Sequence, residues 1–283
     1  MTGRNSTALQ SEIFDPKSAI DGSLCQPDPS KSCGACCGLY NWQNHSRPVL
    51  IPLLERSTSL FFSLGRNPDQ FRKAYADEAP PPNPKLLETI YNCEFLGFLD
   101  EKKKRVGCLL HPSVNDGRDL RDHCFYGKET CSAHYCPSYT QLTKAERASV
   151  RLSIDDWYLY GLVITDIDLV KEFFHQVETR LGDSLKEEGL KNRKVRDALR
   201  EFFFLKETWQ FSSGQGRLGK YYFSHSEYQI ARIEYGKRWQ IQPSRFDKIL
   251  LTLESEFQTP EDILVAESII EGKIVNFLTA YEG

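Results

Sequence analysis

Cys33-Gly34-Ala35-Cys36-Cys37-Gly38 gathers three thiols into five residues. Two cysteines separated by two residues in a tight turn can place both thiolates on one ion, the knuckle of many zinc sites. Gly34 is expected to relieve the backbone of that turn. Cys37 is the unusual member. Adjacent side chains project in different directions, so Cys36 and Cys37 fit one tetrahedral ion poorly. Two metals, or a bridged cluster, suit them better. All nine cysteines lie between Cys25 and Cys136, the others being Cys93, Cys108, Cys124 and Cys131. Cys131-Ser132-Ala133-His134-Tyr135-Cys136 adds a nitrogen donor, His134. This supply fills two closed four-ligand zinc sites, and it equally suits iron–sulfur clusters. The ligand spacings of ferredoxins are absent. His111, before Pro112, stands either as a ligand or as a residue that orients the neighbouring turn. His45, His175 and His225 have no ligand context.

The rest of the composition narrows the class. Forty percent hydrophobic and 12% aromatic residues over 283 positions predict a folded chain with a real core. A net charge of −3 gives no general attraction to nucleic acid or anionic membrane. The polar start, Met1-Thr2-Gly3-Arg4-Asn5-Ser6, has no signal-peptide core, and no apolar run is long enough to cross a bilayer. The expectation is a cytoplasmic protein. Thiols stay reduced there, and an odd cysteine count leaves one unpaired in any disulfide scheme. The cysteines therefore read as metal ligands.

These ligands need elements to hold them. Residues 1–24 read as a flexible arm, and 25–47 as an irregular loop that needs a metal. Pro52 to Leu64 has helical apolar spacing, and Gly65 stops it. Asn67-Pro68 caps and opens a second helix through Phe71 and Tyr75. Pro80 to Pro84 is an extended connector. Cys93 to Leu99 and Val106 to Leu110 predict two short strands joined by a turn at Asp100 to Arg105, a hairpin that brings Cys93 and Cys108 together. The basic run Lys102-Lys103-Lys104-Arg105 reads as a solvated turn. Beyond Cys136-Pro137, helices are expected from a Thr143–Glu146 capping box, over Ile164 to Leu181, Ser184 to Phe204 and Ser244 to Phe257, and over Pro260 to Tyr281 with Thr259 as cap. The fold class is α+β: a cysteine-rich metal-bound module at 25–140, then a mainly helical region at 141–283.

Taken in order, these segments resemble the YkgJ-type cysteine-cluster family, the CxxCxxCC proteins described as zinc- or iron-chelating. Ser32 to Gly38 resembles its CG-x-CC core. Val49 to Gly65, then Pro68 to Tyr75, resembles its helix pair. Cys93-Glu94-Phe95-Leu96 resembles its C-x-F-L strand, and Gly107 to Pro112 with Arg118 to Cys124 its later cysteine segments. The match spans roughly 25–136. Pro29 stands where the family usually has a further cysteine, and Cys25 substitutes from farther away. The resemblance implies a zinc or iron site, with Cys33, Cys36, Cys37, Cys93, Cys108 and Cys124 as main ligands. Cys131, His134 and Cys136 form a second tier. Some proteins with a similar cluster are flagellin lysine N-methylases, which implies a metal-dependent modification enzyme as an alternative.

Other signals point to structure. Gly214-Gln215-Gly216-Arg217-Leu218-Gly219-Lys220 superficially meets two phosphate-loop patterns, but Tyr221 stands where a P-loop needs Ser or Thr. A glycine turn is the expectation. Asp155-Asp156 and Glu187-Glu188 read as solvated faces, and Phe202-Phe203-Phe204 as core. A metal ion is the expected partner, with a protein docking on the helical region as the third reading: a zinc-stapled interaction module.

Overall fold

The computed structural model of the chain describes residues 23–77, 83–214 and 233–283. In the first half, helix α1 (Arg47–Ser63) packs on a hairpin of β1 (Leu96–Phe98) and β2 (Val106–Cys108). It starts a turn earlier than expected. Its buried stripe is Leu50, Leu54, Ser57 and Phe61, one face at helical spacing. Helix α2 (Pro68–Asp77) opens where Asn67 Oδ1 accepts the N–H groups of Asp69 and Gln70, both at 3.1 Å. The strands are antiparallel, with Leu96 opposite Cys108 and Phe98 opposite Val106. Cys93 thus lies just beyond the ladder rather than opposite Cys108. The Asp100 carboxylate accepts the N–H groups of Lys104 at 3.2 Å and Arg105 at 2.8 Å, which closes the basic run as an exposed turn. Two short helices, α3 (Gly127–Ala133) and α4 (Ser138–Gln141), lead out of this half.

The second half is helical: α5 (Lys144–Ser153), α6 (Trp157–Ile164), α7 (Ile167–Leu181), α8 (Arg193–Phe203), α9 (Leu205–Thr208), α10 (Tyr235–Trp239), α11 (Asp247–Thr252) and α12 (Pro260–Glu282). Capping boxes at Thr143–Glu146 and Thr259–Asp262 begin α5 and α12 as the sequence predicts. Three expected helices differ. Asp166 caps a fresh start at α7, so Ile164 ends the previous helix. The 184–204 segment becomes helical only after Asn192 caps α8, preceded by a 3-10 turn at Gly189–Lys191. The 244–257 segment holds only the six residues of α11. Asp156 is no solvated carboxylate. It accepts the N–H groups of Tyr158 and Leu159 at the start of α6 and pairs with Arg47 at 2.6 Å. Most of the 80–84 connector and of the 214–220 glycine segment lies outside the described residues, as do 221–223, His225 and most of the 1–24 arm. Leu24, at that arm's end, is buried.

Buried side chains form a large core among the second-half helices, centred on Phe173, Phe202, Phe203 and Phe277. A second core joins Tyr40, Leu50, Leu54 and Phe98 to Trp157 and Tyr158. A third gathers Phe61, Phe71, Phe95, Leu109 and Leu110. All eight residues of α6 are buried, and the helix serves both the first and second cores. Tyr40 makes the junction by donating its hydroxyl to the Tyr158 carbonyl at 3.0 Å. It crosses so close to Gly161 that a Cβ there would lie 2.2 Å from the tyrosine oxygen. No helix among the described residues is long and apolar enough to cross a membrane.

Candidate metal centre

Ala35–Cys37 forms one 3-10 turn, which Gly38 ends in the left-handed region at φ 81°. Gly38, rather than Gly34 at φ −111°, is where the backbone needs glycine. A Cβ at Gly38 would also strike the Tyr91 carbonyl at 2.6 Å. The turn sits against a buried polar knot. Asn41 is fully buried, and its amide donates to the Leu87 and Ile90 carbonyls and to Asn92 Oδ1 at 3.0, 3.1 and 2.7 Å. The knot delivers Cys93, whose N–H donates to the Cys37 carbonyl at 2.9 Å. On the other side, the Asp28 carboxylate accepts the Ser30 N–H at 2.8 Å and holds Lys31 at 2.8 Å. That turn folds the chain back until the Cys33 N–H reaches the Cys25 carbonyl at 2.8 Å. Cys25 is thereby brought beside the knuckle despite Pro29.

None of the nine cysteines forms a disulfide. Sorted by which thiols act most on one another, they make two adjoining groups. Cys25, Cys33, Cys36 and Cys136 form the inner group. Burial pushes the Cys25 thiol up to about 11, and the Cys136 charge adds to this. Burial likewise raises Cys33, reinforced by Cys25. Cys36 and Cys136 share a hydrogen bond that raises Cys36 and lowers Cys136. The Ser138 hydroxyl and N–H and the Tyr139 N–H further favour the Cys136 thiolate, making it the first of this group to ionise. Tyr139 accepts the Leu24 N–H at 2.6 Å and bonds the Cys25 thiol.

Cys37, Cys93, Cys108, Cys124 and Cys131 form the outer group. Cys37 is raised by burial, then by Cys108 and Cys131, with Cys25 also within its field. Burial raises Cys93 too, followed by Cys37 and Cys108. Cys108 is pushed up to about 11 by burial, and Cys131 up to about 12 by burial and its bond to Cys124. The Cys124 and Cys131 sulfurs are 3.3 Å apart. Arg121, which chelates Asp119 through two nitrogens at 2.8 and 2.7 Å, opposes these rises at Cys108 and Cys131.

No three His, Cys, Asp or Glu side chains among the described residues make up a metal-holding group as they stand. Burial favours the neutral form of most of these thiols, and Cys136 is the exception. A thiolate set drawing onto an ion must first shed those protons. Sulfur is the donor type a thiophilic metal takes, and these thiols stand against apolar walls. His134 sits at the C-terminal cap of α3, where its N–H donates to the Thr130 carbonyl at 3.0 Å. His111 is turned outward and supports the backbone, its Nδ1 accepting the Ser113 N–H at 3.2 Å to cap the turn Pro112–Val114. His45 Nδ1 bonds the Trp42 carbonyl at 2.9 Å. Sequence reasoning missed Tyr139, Arg121 and Asn41. Only Tyr139, three residues after Cys136, carried a positional hint. Set against known proteins, the chain matches no protein-family model, no curated protein and no solved structure.

Proposed function

We propose that this chain is a two-centre thiolate metal protein. Cys25, Cys33, Cys36 and Cys136 would hold one zinc or iron centre. The second would be held by four of Cys37, Cys93, Cys108, Cys124 and Cys131. The observation that carries this reading is the fork at Cys36 and Cys37. The two are adjacent and both feel Cys25, yet Cys36 bonds Cys136 whereas Cys37 lies in the field of Cys108 and Cys131. The ordered segments that resemble the YkgJ-type family support the same chemistry. Bound there, zinc would staple irregular loops, and an iron–sulfur cluster would supply one-electron chemistry.

Anaerobic purification with metal analysis and an absorption spectrum tests the proposal. About two metal centres per chain are expected, colourless for zinc and brown with acid-labile sulfide for iron–sulfur. Cys36→Ser should deplete one centre, and the pair Cys37→Ser with Cys93→Ser, which leaves only three thiols in the other group, should deplete the other. Loss of the same single metal from both variants would sink the two-centre reading.

A further inference from the structure

The Cys124 and Cys131 sulfurs lie 3.3 Å apart, in hydrogen-bond contact. A disulfide holds its sulfurs at about 2.05 Å, so closing the bond asks for a movement of only about 1.3 Å. The pair also has access to solvent. Cys124 lines a surface cleft of about 440 Å³ with Arg72, Tyr91, Asp122, His123 and Phe125. The Phe125 ring is 70% exposed and stacks on Tyr91 with centroids 4.6 Å apart, forming one wall. No other cysteine lines this cleft among the described residues. Cys36 and Cys136 sit instead against the core of Tyr40 and Trp157.

The two sulfurs differ in their support. Cys124 is buried in the core of Phe61, Phe71 and Phe95, and its N–H donates to the Arg121 carbonyl at 3.1 Å. Cys131 rides on α3, a helix with no buried residue. That helix begins at Gly127, in the left-handed region at φ 73°, with open space around its Cα. Elements with few buried contacts shift locally at small free-energy cost. One sulfur is thus fixed at the cleft, and the other is carried by an element that can bring it closer.

We propose that Cys124 and Cys131 are a thiol–disulfide couple, oxidised through the cleft by small-molecule disulfides of the glutathione type. The Cys124 sulfur attacks one sulfur of the incoming disulfide. That sulfur–sulfur bond breaks, the first small thiol leaves with the Cys124 proton, and a mixed disulfide remains on Cys124. The Cys131 sulfur then attacks Cys124, and the second small thiol leaves with the Cys131 proton. The pair loses two electrons and the small disulfide gains them. A small dithiol reverses the sequence. The couple needs only these two sulfurs and the cleft, so it does not rest on the two-centre reading.

The full chain, treated with EDTA and then with oxidised glutathione, tests this. Free thiols are capped with iodoacetamide before trypsin digestion and mass spectrometry. Cleavage after Arg121, Lys128 and Lys144 puts Cys124 on one peptide and Cys131, with Cys136, on the next. These two peptides should appear joined through Cys131, with Cys136 capped, and dithiothreitol should part them. The link should form about tenfold faster than any among the inner thiols, which react only after a local opening. Cys131→Ser should stop the reaction at a glutathione adduct on Cys124. Circular dichroism checks that chain and variant are folded. Cys124 and Cys131 both capped after oxidation, or Cys124 joined equally to several cysteines, overturns the couple and leaves the two-centre reading standing. Metal counts that sink the two-centre reading leave the couple standing.

Discussion

The inner and outer thiol groups share a ligand chemistry and a turn of backbone, yet differ in what holds them. The inner group is tied to the helical half. Tyr160 donates to the Leu24 carbonyl at 2.9 Å, Leu24 donates to Tyr139, and Cys33 packs against both of the neighbouring cores. The outer group is built from a hairpin with three-residue strands, two 3-10 turns and a seven-residue helix. Such short pieces are marginal by themselves and need packing or a staple. Adjacent cysteines thus divide one loop between a thiol group tied to the large helical core and one set in the smaller core of Phe61, Phe71, Phe95, Leu109 and Leu110.

The largest expected effect uses protons to expose that shared chemistry. Cys25 in the inner group and Cys108 in the outer are both pushed up to about 11 from the ordinary 9.0, with burial as the leading cause. The metal-free fold keeps these protons where the unfolded chain releases them. Its stability is therefore full below pH about 9 and falls as pH rises toward about 11, by on the order of 3 kcal/mol for each thiol. Urea unfolding midpoints across this window measure the fall. Metal-loaded protein, with its thiols already deprotonated, should show a much flatter profile. A metal-free midpoint that rises through the window would contradict the assignment. Loading only the outer centre, in Cys36→Ser, should leave an intermediate slope.

A second variant separates the groups mechanically. Gly161→Ala forces a methyl against Tyr40 beneath α6, on the inner side of the boundary. A loss of about 1–3 kcal/mol is expected, read as a lower thermal midpoint. The outer centre should keep its metal. If both centres lose metal equally, the two groups behave as one unit and the comparison fails.

Much of the frame was legible because it rests on local chemistry. The capping boxes at Thr143 and Thr259, the Asn67 cap and the hairpin around Asp100 each need only a few neighbouring residues. The fork at Cys36 and Cys37 was also readable, since adjacent side chains diverge in any turn. The membership of each group was not. Cys136 reaches Cys36 across a hundred residues, and Cys25 reaches Cys33 only because Asp28 folds the chain back. Helix boundaries failed where a single carboxylate or amide restarted the chain, as at Asp166 and Asn192. The burial of α6 on every side left no helical periodicity to read, so its role between the cores was invisible.

The smallest effect concerns His111, which the sequence left between ligand and scaffold. Burial first, then Arg121, lowers its tendency to carry a proton, so its ring is neutral at pH 7 and Nδ1 is free to accept the Ser113 N–H. Such a cap is worth about 1 kcal/mol at most turns, and less at the 3.2 Å seen here. His111→Ala should therefore lower stability slightly while leaving metal content unchanged. His111→Asn, which supplies an acceptor of similar reach, should recover most of that loss. The pair separates the two roles because Asn can cap a turn but replaces imidazole poorly on a thiophilic metal. Metal lost from His111→Asn while its stability is retained would move His111 into the outer centre.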